Sequence, residues 1–318
     1  MLRKIGLLLM AAVLFTGVLT ACSSTSTTTS TTTAATPTPT PSSFTITDSL
    51  GRAITIKNNH PQKIISLAPS NTEILYALGL EDRIAAVTQY SNYPPEAENK
   101  TSVGAYDNPN IEDIVALEPD LILATDAQSV DIYEQLESRG LTVVAIIPHD
   151  MDEVLTTITL IGKITGQDKE AASLVADMQK RIDAITEKTK QLTAAEKPRV
   201  FYCIWNDPIW TTGAGTFEDA LIELAGGVNI AHELSGYVGM SLEAVVDANP
   251  QVMIAGVGMG TGEDLPLQFL QTESRFESSD ARQNNRVYGV NMDIVARPGP
   301  RIVAALEEFF RVIHPELQ

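Results

Sequence analysis

The chain has 318 residues, 44% hydrophobic and 19% charged, the proportions of a soluble globular protein with one or two cores. Its formal net charge of −18 comes with no basic stripe, which excludes phosphate-backbone binding and with it nucleic acid as a partner. Of the two cysteines, Cys22 precedes the part of the chain that can fold, so no disulfide is expected there. Cys203 falls in the apolar run Val200 to Ile204, where a buried, inert thiol is expected.

Arg3-Lys4, the apolar run Ile5 to Leu19 and the small residues Thr20-Ala21 have the three-part layout of an export signal over 1–21. The run is shorter than the ~20 residues of a membrane-spanning helix. Leu19-Thr20-Ala21-Cys22 resembles the bacterial lipobox, which implies lipidation of Cys22. Residues 22–43 continue almost entirely in Ser, Thr, Ala and Pro. They hold nothing to bury and predict a solvated tether behind a lipid anchor, on the outer side of a membrane.

Phe44 to Asp48 and Ala53 to Lys57, around Leu50-Gly51, read as a hairpin. A buried strand follows at Lys63 to Ala68, then Ser70-Asn71-Thr72-Glu73 as a capping box for a helix ending at Gly79. Further strands are predicted at Arg83–Thr88, Leu121–Ala124 and Val143–Ile147, with helices at Ile111–Leu117 and Val130–Ser138. Asp150-x-x-Glu153 reads as another helix cap. Strands alternating with helices imply a parallel sheet covered on both faces. The second half repeats the plan. Strands are predicted at Arg199–Cys203, Val252–Ala255 and Val287–Val290, a helix capped at Thr216, and a closing helix over Arg301–Val312.

Between the halves, Ala171, Leu174, Val175, Met178, Ile182, Ile185 and Leu192 mark one apolar face of a helix over 168–192. At ~1.5 Å per residue it is a rod near 40 Å long, joining lobes at 44–167 and 193–318. An ordinary long helix inside one domain is the other reading of the same pattern.

An internal repeat overlies this plan. From Ile111 and from Leu242 the order apolar-Glu-x-apolar-Val recurs, followed by proline seven residues after the glutamate and then a strand. Glu112 and Glu243 thus hold equivalent places. They are either first-turn acids favoured by the helix dipole or paired studs, one per lobe, for arginines of a symmetric partner. Tyr90, Tyr93, Tyr106, Trp205, Trp210 and Tyr237 all fall in predicted loops. Trp205 and Tyr93 are expected to cap the cores, and the other rings to line an interlobe crevice at the strand carboxyl ends. Asp293 and Arg297, in the last loop, add polar contacts there, and His149 is the one histidine near the crevice. Arg301 is expected to pack at the start of the closing helix.

Nothing points to an enzyme. No G-x-S-x-G or H-E-x-x-H occurs, and the four histidines lack metal-site spacing. The glycines at 256, 258, 260 and 262 fail as a dinucleotide loop, because residue 261 is threonine and Pro266 interrupts the next helix start.

From about Lys63 to Val312 the chain resembles the cobalamin and ferric-siderophore group of ABC-importer solute-binding proteins, most of all its cobalamin-binding branch. The resemblance rests on Ala68-Pro69-Ser70-Asn71-Thr72-Glu73, Tyr90-Ser91-Asn92-Tyr93-Pro94-Pro95, Ile114 to Leu121 and Arg297-Pro298-Gly299-Pro300-Arg301. It implies an α/β fold of two Rossmann-like lobes with parallel sheets, joined by one long backbone helix. It also implies contacts to a cobalt corrinoid from Tyr90, Tyr106, Trp210, Tyr237, Asp293 and Arg297. Glu112 and Glu243 would meet the arginines of an ABC permease dimer that works with its ATPase subunits. The protein would be a monomer with no catalytic residues, cofactor or metal of its own. Thr125-Asp126 stands where the cobalamin branch has a tryptophan, Tyr106 and Tyr237 replace tryptophans, and the second-lobe disulfide is missing. Haem and a ferric siderophore therefore stay open as ligands beside a corrinoid.

Overall fold

The computed structural model describes residues 43–258 and 264–318. The expected leader, Cys22 and the tether up to residue 42 lie outside the described residues, as do the last two glycines of the 256–262 run.

An antiparallel hairpin, β1 (Phe44–Thr47) and β2 (Ala53–Ile56), opens the first lobe. It continues through β3 (Ile64–Ser66), α1 (Pro69–Ala77), β4 (Ile84–Val87), β5 (Thr101–Ser102), α2 (Ile111–Ala116), β6 (Leu121–Ala124), α3 (Val130–Ser138), β7 (Val143–Ala145) and α4 (Met151–Thr165). Its sheet is parallel throughout, in the order β5-β4-β3-β6-β7. Every residue of β3 and β6 is buried, as a strand covered by helices on both faces requires.

After α5 (Asp168–Thr189) the second lobe comprises β8 (Arg199–Cys203), β9 (Trp205–Asn206), β10 (Ile209–Thr212), α6 (Phe217–Leu224), β11 (Val228–Asn229), β12 (Tyr237–Gly239) and α7 (Leu242–Ala248). It ends with β13 (Val252–Val257), α8 (Leu265–Thr272), α9 (Asp280–Gln283), β14 (Val287–Asn291), α10 (Met292–Val295) and α11 (Ile302–Ile313). Its parallel sheet runs β11-β8-β13-β14. That order repeats β4-β3-β6-β7 of the first lobe, strand for strand, so the sequence repeat is a repeat of topology. The backbone repeats too. Glu118 and Asn249, each just before the repeated proline, both have left-handed φ, 49° and 40°.

Neither parallel sheet borrows a strand from the other half of the chain, and α5 carries the chain from one to the other. Its 22 residues make a rod of ~33 Å. The helix stops at Thr189, three residues short of the expected end. Thr193 then opens a capping box with Glu196 around a short 3-10 turn, and Leu192 packs at Gly226. Ala171, Met178, Ile182 and Ile185 of α5 belong to one apolar cluster that runs from Ile64 and Ile158 in the first lobe to Leu221 and Phe309 in the second. Gly162 of α4 lets α5 pack closely, since a Cβ there would lie 2.4 Å from that of Ala171. Arg181 is bidentate to Glu307 of α11, both bonds 2.8 Å. The rod is therefore continuous with both cores, which resists hinge bending.

Two sequence expectations fail locally. The tryptophan segment is not a loop: β9 and β10 form an antiparallel ribbon with β12, and Trp205 faces Trp210 in the ladder. Its β-branched and aromatic residues suit a strand, and the third strand comes from a segment that follows α6 and β11. Trp205 and Tyr93 do not cap cores either. They are 45% and 42% exposed. The Trp205 indole N–H donates to the Asp207 carbonyl, and Tyr93 lies under the Arg301 guanidinium at 3.8 Å.

Candidate functional site

The carboxyl ends of the parallel strands in both lobes open onto one cleft of about 850 Å³. Residues after β3 (Ala68 to Ser70), β4 (Tyr90, Asn92), β6 (Thr125, Asp126) and β7 (Ile146 to His149) form one wall. Gly215 to Phe217, Tyr237, Gly258, Met292, Asp293 and Ala296 to Pro298 form the other. This is where open α/β sheets bind ligands. A second hollow of about 940 Å³ runs along α5 past Tyr76, Leu174 and Met178. It lies on helix flanks, not at strand ends, and so is not the candidate site.

Hydroxyl groups set the first wall. Thr72 Oγ1 bonds Ser66 Oγ (2.8 Å) and Ser91 Oγ (3.1 Å), which pins the loop carrying Tyr90 and Asn92 to α1. The buried Gln128 amide accepts from Thr125 N (2.7 Å) and donates to the carbonyls of Leu67 and Tyr106. Tyr106 is thereby held half-buried; burial, then the neighbouring Asp126, pushes its phenol pKa up. Asp150 caps α4 by accepting from Glu153 N, as expected of a helix cap, while the Glu153 carboxylate accepts from His149 N, one residue before the cap. The cap fixes His149 at the cleft mouth.

On the second wall the Tyr237 hydroxyl donates to Glu218 Oε2 at 3.2 Å. Glu218 is 2% exposed, and burial raises its carboxyl pKa. Tyr237 keeps 56% of its surface in solvent, so its ring is a free platform on a fixed base.

An ion cluster links the cleft to the neighbouring hollow along α5: Arg297 and Asp293 line the cleft, Glu73 and Arg301 the hollow. Ser70 to Glu73 is not a capping box, because α1 begins at Pro69 with Ala68 as its cap. The freed Glu73 carboxylate, 2% exposed, points across to the second lobe. Arg301 grips it through bonds of 2.8 and 2.6 Å, and Arg297 approaches at 3.3 Å. Arg297 also reaches Asn92 Oδ1 and Asp293 Oδ1, both at 2.7 Å. Charge-assisted, bidentate pairs of this kind fix orientation. Arg301 accordingly does more than pack at a helix start.

Of the six residues expected to contact ligand, Tyr90, Tyr106, Tyr237, Asp293 and Arg297 line this cleft; Trp210 does not. Trp210 is on β10 opposite Gly239, and is the one exposed residue of that strand. Phe217, Asn92 and the wall residues Pro69 and Ser70 join the lining without having been singled out for it. Their one signal in the sequence is that each follows a strand or opens a helix. Glu112 and Glu243 are exposed in the first turns of α2 and α7, outside the cleft. Glu243 lies 3.8 Å from Arg275, a cation 32 residues on. Cys203 is buried, and burial pushes its thiol up to about 12. No helix of the described residues is long and apolar enough to cross a membrane.

Two similar α/β lobes on one stiff helix, with a cleft at the strand carboxyl ends, define a binding protein of the helical-backbone class. The chain belongs to the periplasmic binding protein family, whose model matches residues 64–293. It is a solute-binding transport protein and not an enzyme. It is 35% identical over 277 residues to an uncharacterized ABC transporter substrate-binding lipoprotein of Bacillus subtilis, covering 86% of each chain. It is 31% identical over 280 residues to a cobalamin-binding protein of Halobacterium salinarum, covering 86% of this chain and 75% of the relative. The crystal structure of the vitamin B12-binding protein of Vibrio cholerae superposes with a TM-score of 0.69 at 29% identity, over 81% of this chain and 98% of the other.

Proposed function

We propose that this protein captures a corrinoid in the interlobe cleft and delivers it to an ABC permease, held on the extracytoplasmic side of the cell membrane by a lipid on Cys22. The observation that carries the ligand class is the pairing of exposed tyrosine rings from both lobes with the absence of a spare cation. Tyr90 and Tyr106 face the cleft from one side and Tyr237 from the other. Rings of this size each offer ~150–250 Å² to a large, partly apolar ligand. Among the described residues Arg297 is the only arginine or lysine in the lining, and Glu73, Asn92 and Asp293 already engage it. An anionic iron chelate generally needs several free guanidinium or ammonium groups, whereas a corrinoid with neutral amide side chains needs hydrogen bonds. The relatives named for cobalamin or vitamin B12 support the same class.

Asp293 and Asp126 supply acceptors for such amides, and the fixed Arg297 supplies donors. Continuity of α5 with both cores implies small lobe movements on binding. Glu112 and Glu243 are the docking points, one per lobe, for arginines of the permease dimer. The chain acts as a monomer, with domains at 44–167 and 193–318 about a backbone helix that the sequence extends to 192.

Calorimetric titration with cyanocobalamin tests the ligand. One saturable site is expected, with Tyr106→Ala and Tyr237→Ala each weakening it about 5–30-fold, the equivalent of ~1–2 kcal/mol per ring. No saturable heat, or affinity indifferent to both substitutions, would remove the corrinoid from the cleft.

A further inference from the structure

Asp219 and Glu223 lie four residues apart on α6, and the chain after β11 brings His232 back against them. His232 Nδ1 is 3.1 Å from Asp219 Oδ2 and 3.5 Å from Glu223 Oε1. One ligand atom from each of the three falls within 4.8 Å of the others. A tetrahedral centre with bonds of ~2.0–2.1 Å sets its ligand atoms ~3.3–3.4 Å apart. Both nitrogen–oxygen separations lie within a few tenths of an ångström of that spacing, and the two carboxylates each present an oxygen within 4.8 Å of the other's, so side-chain rotation can close them on one ion.

The surroundings suit that arrangement. Asp219 is buried, and its Oδ1 accepts from Asn229 Nδ2 at 2.7 Å while Asn229 also donates to the Thr212 carbonyl at 2.7 Å. An outer partner that orients a carboxylate and leaves its second oxygen for an ion is a recurrent feature of metal sites. The His232 and Glu223 side chains are 45% and 55% exposed and open into a hollow of about 460 Å³ on the second lobe. Water can complete the coordination there. Arg199, at the same hollow, is occupied by the Asn249 carbonyl and Asp280. None of the three residues lines the ligand cleft, so the cluster is separate from it.

We propose that Asp219, Glu223 and His232 form a binding site for a divalent cation of the zinc class. One imidazole nitrogen with two carboxylates selects a borderline ion over magnesium or calcium, which favour all-oxygen shells. Sequence spacing hides the site, because Asp219-x-x-x-Glu223 is ordinary for a helix and the histidine arrives only after a glycine turn and a strand.

Titration of the metal-free full-length chain with zinc chloride, and separately with magnesium chloride, tests it. One saturable zinc site is expected, no magnesium binding, and at least tenfold weaker zinc binding in both His232→Gln and Glu223→Gln. Zinc should also raise the melting temperature of the parent and leave that of the variants unmoved. Both substitutions are at exposed positions, and each variant is scored only with a metal-free melt matching the parent. An ion pair between His232 and Asp219 without a metal gives no zinc isotherm, and that result overturns the proposal. So does zinc affinity unchanged in both variants, or equal binding of magnesium.

Discussion

Glu73 offers a direct measure of what holds the lobes in register. Its carboxylate is buried in the first lobe, while the arginines that neutralise it come from positions 224 and 228 residues later. Glu73→Gln keeps the shape and removes the charge. Arg297 retains Asn92 and Asp293 after the change. Arg301 retains only the Tyr93 ring and a 3.5 Å contact to the Asp293 carbonyl. Removing one partner of a buried pair costs ~3–5 kcal/mol, and the surviving contacts of Arg297 argue for the lower end. With ~2.1 cal/mol/K of unfolding entropy per residue, the roughly 270 described residues give ~0.6 kcal/mol/K. The melting temperature should fall by about 5 °C if the lobes unfold together. Thermal melts of Glu73→Gln, Arg301→Gln and the double variant would also yield the coupling energy between the two side chains. A shift below about 1 °C, with coupling near zero, would refute the clamp.

Three further outcomes follow from the same structure. Replacing both Glu112 and Glu243 with Ala should abolish ligand uptake by cells while calorimetric affinity stays within about twofold; unimpaired uptake would reject the docking role. Burial raises the Glu218 pKa, so the folded chain holds this proton more tightly than the unfolded one. The stabilisation is complete below the unfolded value of ~4.3 and is lost as pH rises through the folded value. Urea midpoints of the parent and Glu218→Gln should therefore agree near pH 4, with the variant the more stable at pH 8; a parent as stable as the variant at pH 8 contradicts this. Cys203, with its thiol pushed up to about 12, should resist alkylation at pH 8 until denaturant is added. Ready labelling of the native protein, read on the Cys203 peptide, would show that the site is open.

The fold was legible where local pattern and tertiary demand coincide. Continuous apolar runs marked β3, β6, β8 and β13, and three-to-four spacing marked α5, because burial on both sheet faces and on one helix stripe leaves that trace in composition. The repeat around Glu112 and Glu243 was legible for the same reason, and it proved to be a repeat of strand order. Long-range pairing escaped. Ser70-x-x-Glu73 satisfies a local capping rule, yet two arginines more than 220 residues away outbid the helix N-terminus for that carboxylate. In sequence the Trp210 segment resembles a loop and so points to the cleft. Pairing with Gly239, which no local rule predicts, puts it on a strand with its side chain turned to solvent instead. Tyr90 and Tyr106 were legible as cleft residues because they fall in segments between predicted elements; Tyr237 reaches the cleft as well, but from the strand β12 and not from the loop expected for it.

The most direct test is a competition for the cleft. The protein would be incubated with equal amounts of cyanocobalamin, haemin and a ferric hydroxamate chelate, separated from free ligand by gel filtration, and examined by visible absorption. The corrinoid spectrum at one equivalent per chain is the predicted result. A haem Soret band, an iron–hydroxamate band, or no bound chromophore would contradict it.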